Sequence, residues 1–428
     1  MQHKLIIVIF ISLFSITFTA AGQKLVNSPY SRFNIGSMEP AGSFRSLGMG
    51  GIGTAMRGNS FIFFSNPASY SSLDTNSFIF DFGIDYSMNF LSDGISRFSS
   101  DDMNFDHLLL GFPLAKGWGL AAGIVPISNG YYKMNDAVVK TDANYDPLTG
   151  EYTSKHSGDG GFNNFFLGSG ISINKNFSVG VNMTILLGQI NRIYEVDFAD
   201  VTHDFHNSAT EKIQLNGINF DYGIQYTASL KNNYFINAGA SISSNKYYNS
   251  KYNYLSYKFT DYNINVKDTI SFVSDDSTSA FIPGPLRLGI SIGKKNKFTA
   301  GIDFVSTKWS KARIPGAKGY TADTRSFLFG AEYIPDIYSN YSYLKRIEYR
   351  IGGHVEDNYL IINGNQLKEY GASFGIGLPM RRLSRTNLFF DYTRKYGPAG
   401  SNLYSENYYT MGISLNLYDF WFIKRKFD

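Results

Sequence analysis

Apolar and polar residues alternate with a period of two along much of the chain, which places them on opposite faces of extended strands. Between residues 78 and 90, Phe78, Phe80, Phe82, Ile84, Tyr86, Met88 and Phe90 share one face. Ile79, Asp81, Gly83, Asp85, Ser87 and Asn89 share the other. Residues 218–230 repeat the pattern, with Ile218, Phe220, Tyr222, Ile224, Tyr226, Ala228 and Leu230 set against Asn219, Asp221, Gly223, Gln225, Thr227 and Ser229. Fourteen segments read as strands, roughly 76–91, 103–114, 117–128, 162–174, 176–196, 211–230, 233–248, 281–293, 296–308, 324–336, 345–357, 367–379, 386–396 and 406–420. Strands of soluble domains run to about 5–6 residues. A tilted strand crossing a bilayer needs about 9–11, and most of these segments reach that length. The apolar face is therefore predicted to meet lipid and the polar face to line a lumen.

The connections support that reading. Ala115-Lys116-Gly117, Lys175, Lys231-Asn232 and Lys294-Lys295 are short and turn-like. Residues 129–161, 197–210 and 249–280 read as long loops rich in Asp, Asn, Ser and Tyr. Short inner turns and long outer loops are the rule in outer-membrane barrels, and an even strand count puts both chain ends in the periplasm. The alternation of lengths weakens at 337–344. A sheet in lipid cannot leave an open edge, so the strands must close into a ring. Aromatic pairs near strand ends, Tyr247-Tyr248, Tyr408-Tyr409 and Phe420-Trp421, suit interface girdles. The predicted fold is all-β: a transmembrane antiparallel β-barrel of about 14 strands with an N-terminal hatch.

Composition sharpens the picture. Residues 1–22 combine Lys4, an apolar run from Leu5 to Phe18 and the small residues Ala20-Ala21-Gly22. This reads as a signal peptide cleaved near Gly22/Gln23, with an apolar run too short to span a membrane as a helix. The chain has no cysteine, which excludes a lipid-anchored cysteine and disulfides. Without Lys4 the 39 Lys+Arg become 38, against 35 Asp+Glu. So small an excess argues against nucleic acid as a partner. Tyr 31, Phe 36 and Gly 42 against Pro 12 suggest many strands. The expected organisation is a signal peptide over 1–22, a periplasmic or luminal hatch over 23–75 and a barrel over 76–428.

Residues 28–75 do not alternate. They run Ser28-Pro-Tyr-Ser-Arg-Phe-Asn-Ile-Gly36, then Phe44-Arg45-Ser46-Leu47-Gly48-Met49-Gly50-Gly51-Ile52-Gly53-Thr54-Ala55, then Phe61-Ile62-Phe63-Phe64-Ser65-Asn66-Pro67-Ala68-Ser69. This Gly-rich stretch followed by Asn-Pro-Ala resembles the start of the FadL/TodX outer-membrane transport family, in the style of its members from Bacteroidetes-type bacteria. The resemblance implies a 14-stranded barrel plugged by its N-terminal segment. It also implies passive uptake of hydrophobic small molecules such as long-chain fatty acids, which leave sideways into the membrane. A second branch, the PorV-like proteins, implies a shuttle or scaffold for secreted or envelope proteins, and the alternation leaves both roles open. Expected partners are outer-membrane lipid and a hydrophobic ligand, or on the second reading secreted or envelope proteins. Neither role involves a cofactor or an enzymatic step. A TonB-dependent receptor would need about 22 strands and a larger plug.

Candidate ligand or hatch residues are Phe61, Phe63, Phe64, Asn66, Pro67 and Ala68. Proline fixes its own φ and restricts the residue before it, so Asn66-Pro67-Ala68 should set the hatch's shape. Candidate lumen residues are Asp81, Asp85, Asp303, Arg350 and His354, with Glu332, Glu348, Glu356 and Asp391 on the same faces.

Several motifs carry no site. Gly48-Met-Gly50-Gly-Ile-Gly53 has dinucleotide-binding spacing but no βαβ unit around it. Gly371-Ala-Ser373-Phe-Gly375 has nucleophile-elbow spacing but lies inside an alternating strand, where small lumen-side residues leave room for a plug. His203 and His206 share a loop, His107 and His354 should face lumen carboxylates such as Glu356, and Asp142-Asn144-Asp146 lacks the Gly and Glu of a calcium loop. No metal is assigned.

Overall fold

The computed structural model describes residues 28–420 apart from 93, 95, 144, 200–205, 261–262, 318–319, 399 and 402. The expected signal peptide and Trp421 lie outside the described residues. The strands, in chain order, are β1 Ser37–Met38, β2 Ser77–Ser92, β3 Arg97–Ala115, β4 Trp118–Asn129, β5 Tyr132–Val138, β6 Tyr152–Ser172, β7 Phe177–Phe198 and β8 His206–Ser229. They continue with β9 Tyr234–Ser243, β10 Lys246–Thr260, β11 Asn263–Ile282, β12 Leu286–Lys294, β13 Phe298–Thr307, β14 Tyr320–Thr321 and β15 Thr324–Tyr333. The last are β16 Glu348–Ile362, β17 Asn365–Pro379, β18 Arg385–Tyr396 and β19 Ser405–Phe420.

Fourteen of these close a ring in the order β2, β3, β4, β6, β7, β8, β9, β12, β13, β15, β16, β17, β18, β19, and β19 pairs back onto β2. Every pairing is antiparallel, and each expected segment holds one wall strand. The regions read as loops 129–161 and 249–280 differ from expectation. The first contains β5 and the outer part of β6, and most of the second is the β10–β11 hairpin, which β10 fastens to β8. The cue was present in the spacing of Tyr252, Tyr254, Tyr257 and Phe259. It was hidden by polar neighbours, because a strand above the membrane need not have an apolar face. β6, β7 and β8 run to 21, 22 and 24 residues, about twice the length needed to span. This side of the wall therefore rises well beyond the membrane.

The faces are inverted relative to a soluble protein. Phe82, Met88, Phe90, Ile218, Tyr222, Ile224 and Tyr226 are exposed outward, while Asp81, Asn89, Asn219 and Gln225 are buried inside. The polar face can be buried because residues 28–75, the hatch, pack against it inside the ring. Inward glycines let backbone meet backbone. An added Cβ at Gly352 would sit 2.1 Å from Gly50 N, at Gly239 2.2 Å from Thr54 O, and at Gly180 2.4 Å from the Pro67 carbonyl carbon.

Candidate functional site

The hatch has two seats. Its outer part, Ser28–Met38, reaches the far end of the lumen. There Tyr30 and Ile35 pack with Phe162, Ile190, Trp309, Tyr359 and Leu360. Ser28 Oγ donates to Glu406 at 2.7 Å, and the Tyr30 hydroxyl donates to the Tyr404 carbonyl at 2.8 Å. Its inner part, from the short helix Phe44–Leu47 to the 3-10 turn Pro67–Ser72, lies in the half of the lumen nearer the short turns. Asn66 caps that turn by accepting from Ala68 N at 3.1 Å. The Asn66 amide also donates to the carbonyls of Thr54 at 2.8 Å and Ile224 at 3.1 Å. One fully buried side chain thus ties two stretches of hatch to the wall. Asp303 accepts from the amides of Gly53 at 2.8 Å and Thr54 at 2.7 Å, and Ser373 Oγ accepts from Gly50 N at 2.9 Å. The serine of the G-x-S-x-G match therefore holds backbone. The Gly48–Gly53 run is the stretch of hatch that presses on the wall at Gly330, Gly352 and Gly375.

A buried ion cluster locks the inner seat. Arg45 of the hatch meets Glu332 at 2.6 Å and Glu348 at 3.9 Å. Arg350 meets Glu332 at 2.7 Å and also bonds Glu348, while Arg385 bonds the other oxygen of Glu348. Asn387 accepts from Arg350 at 2.9 Å. The Phe61 ring lies between two guanidiniums, 3.7 Å from Arg45 and 4.9 Å from Arg385, in cation–π contact. Phe63 packs with Met49, Ile52 and Met56. Of the three candidate phenylalanines, Phe64 alone lines the lumen chamber. Pro67 and Ala68 lie against Gly170 and Gly180.

Between the two seats lies a chamber of about 950 Å³. Its lining carries nine carboxylates: Glu39, Asp85, Asp106, Asp221, Asp303, Glu356, Asp357, Glu369 and Asp391. Against these stand only Arg287 and Lys395 as permanent cations. His354 meets Thr393 at 3.1 Å and Asp391 at 4.0 Å rather than bonding Glu356. His107 contacts Asp81 at 3.2 Å and bonds Asp106. Asp81 and Arg350 are thus committed to wall contacts, while Asp85 and His354 border the chamber. His203 and Asn144 lie outside the described residues, and among those described no group of His, Asp or Glu has a metal-holding arrangement.

Beside the chamber the wall ladder is interrupted. The β3–β4 ladder runs from Ala115 and Trp118 only as far as Leu108 and Ile124, although β3 continues to Arg97 and β4 to Asn129. The local sequence explains the break. Pro126 has no N–H to donate, the β4–β6 register shifts at Ile127, and the β2–β3 register shifts at Asp106. Past the break β4 takes the hatch as its partner. Ser37 and Met38 pair with Asn129 and Ser128, and Glu39 N donates to Ile127 O at 2.8 Å. Asn104, Phe105, Asp106, Val125, Pro126 and Ile127 line the chamber at this gap.

Glu39 sits at the gap with Asp85, Asp102, Asp106 and Lys395 around it. Burial pushes its carboxyl up to about 7, with Lys395 opposing the rise and Asp106 and Asp102 adding to it. The seated hatch thus holds this proton more tightly than an unseated one, whose carboxyl titrates near 4.5. Seating is strongest below the unseated value and weakens as pH rises through about 7. Amides 37–39 should exchange hydrogen faster at pH 8 than at pH 6 after correction for intrinsic rates. Glu39→Gln should flatten that difference, and an unchanged pH dependence in the variant would reject the assignment.

Sequence reasoning missed Arg45, Glu39 and Arg385. The last was legible, since it opens an alternating strand on the face of Asn387 and Asp391. The two hatch residues had no periodic signal around them.

A family model described as BamG matches residues 1–428. No curated protein matches the sequence. Among solved structures, a Pseudomonas aeruginosa FadL homologue superposes with a TM-score of 0.58 at 12% identity, covering 90% of this chain and 99% of its own. The CymD monoaromatic hydrocarbon channel gives 0.55 at 15% identity, covering 90% and 98%. The Ralstonia pickettii toluene transporter TbuX gives 0.53 at 12% identity with the same coverages. The barrel fold is therefore that of the FadL-type outer-membrane channels.

Proposed function

This chain belongs to the BamG family, and from that premise we propose that it is an outer-membrane barrel passing hydrophobic small molecules between its lumen and the membrane through the side opening. One observation carries the reading: the wall ladder stops at Leu108 and Ile124 while both ends of the lumen are filled by hatch. A molecule in the chamber then has its shortest way out through the wall. The solved relatives described as hydrocarbon and toluene channels support this class of cargo. The lining narrows it. With nine acidic groups and only two fixed cations in the lining, the chamber offers the head group of a long-chain fatty acid few cationic partners, so neutral hydrophobic compounds fit better.

The second reading, a shuttle or scaffold in an envelope complex, is favoured by the long strands β6–β8 and the β10–β11 hairpin. They build a sheet beyond the membrane that a small-molecule channel does not need. Native mass spectrometry of the gently extracted protein separates the two. A stoichiometric hydrophobic compound in the chamber supports uptake. A stoichiometric secreted or envelope protein, with the chamber empty of such compounds, rejects uptake in favour of the scaffold.

A further inference from the structure

We propose that the side opening is also a docking edge for an extended strand of a partner protein, one that alternates apolar side chains with Lys or Arg. This goes beyond small-molecule uptake, and either can fail without the other.

The first support is the backbone. Along Asp101–Phe105, β3 is laddered on one side only, to β2, and among the described residues no strand pairs its other edge. The opposite bank does not supply a partner: the hatch takes the edge of β4 at Ser128 and Asn129, and β5 is laddered to β6. A row of unpaired N–H and C=O groups at membrane depth costs several kcal/mol per group. Met103 N–H shows the need: it is held by the Asp102 carboxylate at 2.8 Å instead of by a strand. A hydrophobic small molecule cannot satisfy such a row, whereas an added strand can.

The second support is the side-chain pattern. Met103 and Phe105 are exposed on the outer face, while Asp102 is buried on the lumen side and Asn104 lines the chamber. A strand laid along this edge alternates in the same way. Its outward residues meet lipid beside Met103 and Phe105. Its inward residues meet the acidic groups of Asp102, Asp106, Asp85 and Glu39, with Lys395 near Glu39 and His107 bonded to Asp106. Charge complementarity therefore selects basic residues at the inward positions.

The test uses the full-length protein in detergent and a fluorescent nine-residue peptide of alternating Leu and Lys. Two control peptides accompany it: one N-methylated at alternate amides, the other with Glu in place of Lys. We expect the Leu–Lys peptide to bind at least tenfold more tightly than either control and to slow hydrogen exchange at residues 101–105. Asp102→Asn with Asp106→Asn should weaken binding about tenfold, and the peptide controls keep the test valid if that variant folds poorly. Equal binding of the N-methylated peptide would mean charge alone acts and would overturn the proposal. So would binding without protection at 101–105. A dimer in which those amides are already protected would assign the edge to a second copy instead, and would also overturn it.

Discussion

Glu348→Ala should turn the closed barrel into a leaking one. In the native cluster three guanidiniums, Arg45, Arg350 and Arg385, share two carboxylates, Glu332 and Glu348; all are buried except Arg45, which is partly buried. Removing Glu348 leaves three cations against one anion in a site with little water. Stripping one partner from a buried ion cluster costs about 3–5 kcal/mol, because the remaining charges stay uncompensated. The wall holds Arg350 and Arg385 on strands, so the strain is relieved most easily by releasing Arg45, and with it the helix Phe44–Leu47. Planar-bilayer recordings should show conductance approaching that of a chain lacking residues 28–75, which we expect to fold as an open barrel. Amides 44–53 should lose protection from exchange. Conductance at the native closed level, with protection intact, would show that the ion cluster does not hold the hatch. A 28–75 deletion no more conductive than the intact protein would show that the hatch does not close the lumen.

Gly352→Val should expel the inner hatch by a steric route that needs no charge. An added Cβ would stand 2.1 Å from Gly50 N and 2.2 Å from the Met49 carbonyl carbon. Both neighbours are backbone and cannot rotate away. Overpacking of this kind costs about 1–3 kcal/mol or more, directed at one of the backbone contacts that seat the Gly48–Gly53 run. The expected result is an increased conductance with the barrel still heat-resistant in detergent. Gly364→Asn, at an outer hairpin tip with no atom within 4 Å of an added Cβ, should leave conductance unchanged. If the two variants conduct alike, backbone contact at Gly352 is not what seats the hatch.

The two variants explain why some features could be read and others could not. Strand number, direction and face followed from local alternation, because each wall residue sees either lipid or lumen and the pleat repeats every two residues. The inward polar residues Asp81, Asp303, Glu332, Glu348 and Arg350 were legible for the same reason. Their partners were not. Arg45 lies 287 positions from Glu332 in sequence, and no periodicity links a hatch residue to a wall strand. The inward glycines were visible as a composition and as positions, but the backbone they admit was not.

By itself, the sequence determined a closed antiparallel barrel of fourteen wall strands with a non-alternating N-terminal segment. Burying polar faces and exposing apolar ones over membrane-length strands has one stable solution in a bilayer, a ring. Tertiary structure alone decided that the hatch seats at both ends of the lumen and that an ion cluster locks the inner seat. It also decided that the wall parts at Leu108 and Ile124, where β4 exchanges its neighbour strand for the hatch. Those outcomes depend on which distant groups meet across the lumen, and distances across a lumen leave no trace in the order of residues along the wall.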